Sequence, residues 1–122
     1  MRVRFILLAA IAVGIELAPA AAVGCEVYRR PIPLGRDVSI EMIAQSGKDC
    51  RIRLRRDDVF EVETYELSAR PLHGGARVQA PYIAYYRSNP DYRGRDHFIF
   101  TLCGGHAGEA GCTSIYVKVT VR

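Results

Sequence analysis

Between residue 37 and the C-terminus the apolar positions recur mostly at intervals of two, the period of a strand, and not at the period of a helix. Val38, Ile40 and Met42 alternate with Ser39 and Glu41, which predicts a half-buried strand over residues 37–44. Gln45 to Asp49 reads as a turn. Cys50, Ile52 and Leu54 then alternate with Arg51, Arg53 and Arg55. After Arg56-Asp57-Asp58 the alternation resumes, with Phe60, Val62 and Thr64 set against Glu61, Glu63 and Tyr65. A three-residue loop, Arg56 to Asp58, would join these runs as a hairpin with Leu54 opposite Phe60 and Ile52 opposite Val62. The same register sets Arg53 against Glu61 and Arg51 against Glu63, so that both faces agree.

Turn chemistry punctuates the rest. Pro71-Leu72-His73-Gly74-Gly75 precedes short strands at 76–79 and 82–86. Asn89-Pro90-Asp91 and Gly94 break the chain before a strand at 97–103, in which Phe98, Phe100 and Leu102 claim the core face. A Gly-rich loop is expected over 104–111. The last strand, 112–121, buries Thr113, Ile115, Val117, Val119 and Val121. About seven short strands without a helical stretch predict an all-β sandwich.

The N-terminus has a different character. Arg2 and Arg4 precede an apolar run from Phe5 to Ile15, followed by Ala18-Pro19-Ala20-Ala21-Ala22-Val23-Gly24. That is the layout of a secretory signal peptide over residues 1–24, whose small residues permit a cut after Ala20, Ala22 or Gly24. The run is shorter than the roughly 20 residues that span a bilayer, and no second run follows. Ala22-Val23-Gly24-Cys25 is also close to a bacterial lipobox, with Ala22 where Leu is usual, so lipid anchoring at Cys25 is a minority alternative. Residues 25–35, with Pro31 and Pro33, read as an extended N-terminal arm, and residues 36–122 as one domain.

Charge and cysteines refine this picture. The whole chain carries a net charge of +4; without residues 1–24, Lys+Arg falls from 17 to 15 and Asp+Glu from 13 to 12, leaving +3. That balance is too modest to indicate a nucleic-acid partner. The four cysteines all lie at or beyond position 25 and permit three pairings in an oxidising compartment. Parity favours Cys103–Cys112, both pointing outward at the end of one hairpin. Inward-facing Cys50 is then left to Cys25.

Pro71-Leu72-His73-Gly74, the Tyr85-Tyr86 strand, Gly94-Arg95-Asp96-His97-Phe98 and the closing Val117-Lys118-Val119-Thr120-Val121 together resemble the bacterial cadherin-like and immunoglobulin-like domains of secreted and surface proteins. The resemblance covers residues 37–121 and implies an antiparallel immunoglobulin-like β-sandwich. Its most specific part is the corner Gly94, Asp96 and Phe98, a marker of fold and not of function. In that corner Asp96 is expected to accept backbone N–H bonds while Phe98 fills the core. Calcium at Asp91 and Asp96 is the competing reading, but six to eight oxygens from several segments are not in sight.

No catalytic constellation stands out, and the spacing of His73, His97 and His106 matches no zinc pattern. Neither metal nor cofactor is expected. The candidate contact face is Arg51, Arg53, Arg55 and Arg56. It reads first as a solvated face neutralised by Glu61 and Glu63, and second as a surface for an envelope protein or anionic envelope polymer. The expected function is a secreted or periplasmic non-catalytic binding or structural module of the bacterial envelope. The alternative is a periplasmic accessory or inhibitor protein that caps a single protein partner.

Overall fold

The computed structural model describes residues 9–14, 24–54, 59–79 and 82–122. Most of the expected leader, and Arg55, Arg56, Asp57 and Asp58 of the expected hairpin loop, lie outside the described residues. The described chain forms eight strands: β1 (Glu26–Tyr28), β2 (Val38–Ala44), β3 (Asp49–Arg53), β4 (Glu61–Ala69), β5 (Gly74–Gln79), β6 (Ile83–Ser88), β7 (Gly94–His106) and β8 (Glu109–Val121). They make two sheets, one of five strands in the order β1-β2-β8-β7-β4 and one of three in the order β3-β6-β5. Neighbours pair antiparallel except β2 and β8, which run parallel with Ile40 beside Val117 and Met42 beside Val119.

The core lies between the sheets and is built by alternation. Phe98, Phe100 and Leu102 of β7 and Thr113, Ile115, Val117, Val119 and Val121 of β8 are buried. Ile40, Met42 and Ala44 join them from β2, while Cys50, Ile52, Ala84 and Tyr86 close the core from the three-stranded sheet. The Tyr86 and Phe98 rings stack across the sheets with centroids 5.8 Å apart. Burying such side chains contributes roughly 1.5–3 kcal/mol each, which is the main force holding the layers together.

The expected hairpin of residues 50–65 does not form. β3 pairs with β6, placing Cys50 opposite Tyr86 and Ile52 opposite Ala84, and β4 pairs with β7 in the other sheet. Apolar still meets apolar, so parity is satisfied equally well. The chain changes layer after Leu54, because a sandwich needs residues such as Ile52 on the wall facing β7 and β8. A bulge between Val62 and Thr64 also shifts the parity of β4. Thr64 turns outward and Tyr65 inward, edge-on to Phe100 at 5.7 Å.

Residues 104–111 are not a loop. β7 and β8 continue through them to a two-residue turn, Ala107-Gly108, whose φ values of 51° and 83° suit a tight hairpin. Gly104 permits β4 to pair along this extension of β7, since a Cβ there would lie 1.8 Å from the Glu61 carbonyl oxygen. The N-terminal segment contributes edge strand β1 and buries Ile32 beside Val59. Buried Thr113 holds it further, donating to the Pro33 carbonyl at 2.5 Å and accepting from the Gly35 amide at 3.0 Å.

Candidate functional site

Two groups of predicted site residues come together in different places. The first is the corner. Asp96 is 7% exposed and its carboxylate accepts from the Leu72 amide (3.0 Å), the His73 amide (3.2 Å), its neighbour's His97 amide (2.9 Å) and the Tyr86 hydroxyl (2.8 Å). One buried anion therefore ties β7 to the turn before β5 and to β6 in the opposite sheet. Gly94 opens the strand at a φ of 137°, and Phe98 is fully buried. Burial, reinforced by the hydrogen bond to Asp96 and its negative charge, pushes the Tyr86 phenol far above its ordinary range. Tyr65 moves in the same direction from burial alone. The turn beneath is braced by His73, which stacks on Tyr92 at 4.1 Å. This arrangement is structural: both Asp96 oxygens already accept protein hydrogen bonds.

Two disulfides close the fold. Cys103 faces Cys112 across the β7–β8 register, and Cys25 is bonded to Cys50. Because Cys25 directly precedes β1 and Cys50 lies on β3, the second bond joins the edge of one sheet to the edge of the other. Among the described residues, no cluster of three or more metal-ligating side chains occurs.

The second group is the arginine face. Arg51 and Arg53 are exposed on β3, as their parity requires. Their expected counter-charges are elsewhere, because Glu61 and Glu63 sit on β4 in the other sheet. Instead the register places Arg51 beside Tyr85 and Tyr85 beside Arg77, a row across all three strands. The Arg77 guanidinium lies 3.9 Å from the Tyr85 ring centroid, a cation–π contact. A second row runs Asp49, Arg87, Gly75, in which Asp49 accepts from Arg87 Nε at 2.8 Å.

Four arginines thus share one sheet surface with a single carboxylate from the same three strands, and Arg87 already engages it. Arg55 and Arg56 lie outside the described residues. Arg77, Arg87 and Tyr85 were not singled out from the sequence, although alternation with Ala76, Val78, Ala84 and Tyr86 marks all three as outward-facing. What alternation alone does not give is which strands lie side by side.

The chain matches no protein-family model and no curated protein. Among the described residues no helix is long and apolar enough to cross a membrane.

Proposed function

We propose that this protein is a secreted, non-catalytic immunoglobulin-like module that binds an anionic polymer of the bacterial envelope through the outer face of β3, β6 and β5. The carrying observation is the row Arg51–Tyr85–Arg77, flanked by Arg53 and Arg87, on a surface with one carboxylate. An array of guanidinium groups held on a rigid sheet attracts a chain of negative charges, and each group can grip an oxyanion through its planar fork.

Further observations support the rest of the reading. Counting β2 to β8 as seven successive strands, the first and last pair in parallel, and the second, fourth and fifth form the opposite sheet. This supports an immunoglobulin-like division of strands B, E and D from C, F and G, with the departure that the first strand lies with C, F and G and not with B, E and D. Two disulfides fit an oxidising compartment. Ile11 and Val13, within the expected leader, are 86% and 80% exposed, as a segment that adds nothing to the core would be.

The test is chromatography of the chain without residues 1–24 on a dextran sulfate matrix. Wild type should be retained at low salt and released as salt screens the face. Arg51→Ser with Arg53→Ser should elute markedly earlier at an unchanged melting temperature. Equal elution of the two proteins would overturn the reading. Capture of one acidic envelope protein with no retention on the polymer would replace it with the single-partner alternative.

A further inference from the structure

Gly75 lacks the usual reasons for glycine in a strand. Its φ is not among the positive ones, and a Cβ built on it would meet nothing within 4 Å. Its neighbour Gly74 is the contrast, since a Cβ there would fall 2.2 Å from the Arg87 carbonyl oxygen. Glycine inside a strand weakens it, and one that neither backbone nor packing demands often marks a place where a ligand approaches the chain. Gly75 lines a depression of about 650 Å³ beside Tyr85, bordered by Arg77, Arg87, Asn89 and the carboxylate-bearing Asp49.

The two arginines reach this opening from different directions. Arg77 lies two residues along β5 from Gly75, and Arg87 stands directly opposite it on β6. Stacking on Tyr85 restrains the Arg77 guanidinium, so less freedom is lost when it binds. Asp49 engages Arg87 through Nε, from the strand on the other side. Among the described residues, the terminal nitrogens of Arg87 and all of those of Arg77 make no hydrogen bond. Two guanidinium groups with unspent donors therefore border one notch, where the Asp49 carboxylate is already engaged by Arg87 Nε.

We propose that the notch at Gly75 is a phosphate-binding site that takes phosphate monoester groups carried by the anionic polymer, an inference that rests on the polymer reading of this face. A carboxylate offers two oxygens, which one guanidinium fork satisfies. A phosphate monoester carries a charge of about −1.5 to −2 at neutral pH and three acceptor oxygens, enough to engage two forks at once. Without a Cβ at residue 75, the anion reaches the sheet surface between them.

The test titrates inorganic phosphate into the chain without residues 1–24, with chloride matching the ionic strength. The Gly75 amide and the Arg77 and Arg87 Nε signals are followed by nuclear magnetic resonance. In wild type these signals should shift and saturate. Gly75→Val fills the opening at constant charge and should weaken phosphate at least about tenfold; Arg77→Gln, a second variant away from the glycine, should do the same. Lys118→Ser, at an exposed position of β8 in the other sheet, should leave phosphate affinity within about twofold. Wild type should elute later from dextran phosphate than from carboxymethyl dextran of equal charge density, and Gly75→Val should lose that difference. An unsaturable shift at Gly75, or equal phosphate binding by folded Gly75→Val, overturns the site while leaving the polymer reading standing. Saturable phosphate binding without retention on either matrix removes the polymer reading and keeps the site.

Discussion

Tyr86 and Asp96 form a buried hydrogen bond from one sheet to the other, the phenol donating to the carboxylate at 2.8 Å. Tyr86 also stacks on Phe98, two residues along from Asp96, so the same ring joins polar and apolar parts of the interior. A bond to a charged acceptor contributes roughly 1.5–3 kcal/mol. Tyr86→Phe should therefore lower stability in urea by about that amount while keeping the fold. Asp96→Ala should cost more than Tyr86→Phe, because the Leu72 and His73 amides and the Tyr86 hydroxyl lose their acceptor together. Equal costs would show that the carboxylate matters only to Tyr86.

The raised phenols of Tyr86 and Tyr65 make stability fall as the pH becomes alkaline. In the unfolded chain each ionises near the ordinary value of 10.0, while in the folded protein each keeps its proton to higher pH. Folding then binds more protons than unfolding, so this contribution is complete below pH 10 and declines above it. The slope approaches about 1.4 kcal/mol per pH unit for each tyrosine. Urea midpoints from pH 9 to pH 11.5 should fall for wild type and fall less steeply for Tyr86→Phe and Tyr65→Phe. A wild-type midpoint that stays level across this range would contradict the assignment.

Gly104 sits where the Glu61 backbone of β4 leaves no room for a side chain on β7. Gly104→Ala should destabilise the protein by roughly 1–3 kcal/mol, the usual range for overpacking, because the methyl group would meet the Glu61 backbone at 1.8 Å. Gly111→Ala on β8 is the control: its nearest contact would be the Leu34 side chain at 3.4 Å, which has room to yield. Thermal melts of the two variants should separate clearly, and similar melts would mean that β4 moves aside freely.

The parts of this fold that were legible in the sequence depend on one strand at a time. Thr113, Ile115, Val117, Val119 and Val121 are all buried, as period-two alternation requires. The Asp96 corner also follows from local chemistry, a short carboxylate beside a turn that offers free amides. Pairing is a different kind of fact. Cys50 and Ile52 face inward beside β6 as readily as beside β4, and the charge match of Arg51 and Arg53 with Glu63 and Glu61 favoured the hairpin that does not form. For the same reason the arginine row is not legible in the sequence, since Arg77, Tyr85 and Arg87 become neighbours of Arg51 only once β6 lies between β3 and β5. Gly104 and Gly105 read as loop because glycine disfavours strands, whereas Gly104 is what lets β4 pair with β7.

The two disulfides should differ in what they hold. Cys103 and Cys112 are 9 residues apart and already face each other in a ladder of two 13-residue strands. Cys25 and Cys50 are 25 residues apart, and the strand next to Cys25 has only 3 residues. In the chain-entropy model the shorter loop contributes about 2.6 kcal/mol and the longer about 3.5 kcal/mol. Cys103→Ala with Cys112→Ala should lower the urea midpoint by the smaller amount and leave amide exchange in β1 unchanged. Cys25→Ala with Cys50→Ala should cost more, since it also removes a buried sulfur beside Tyr86, and should speed exchange across Glu26–Tyr28. The reverse order of midpoints would mean that β1 is held by its pairing with β2 and by Ile32, and that the inter-sheet bond adds little to it.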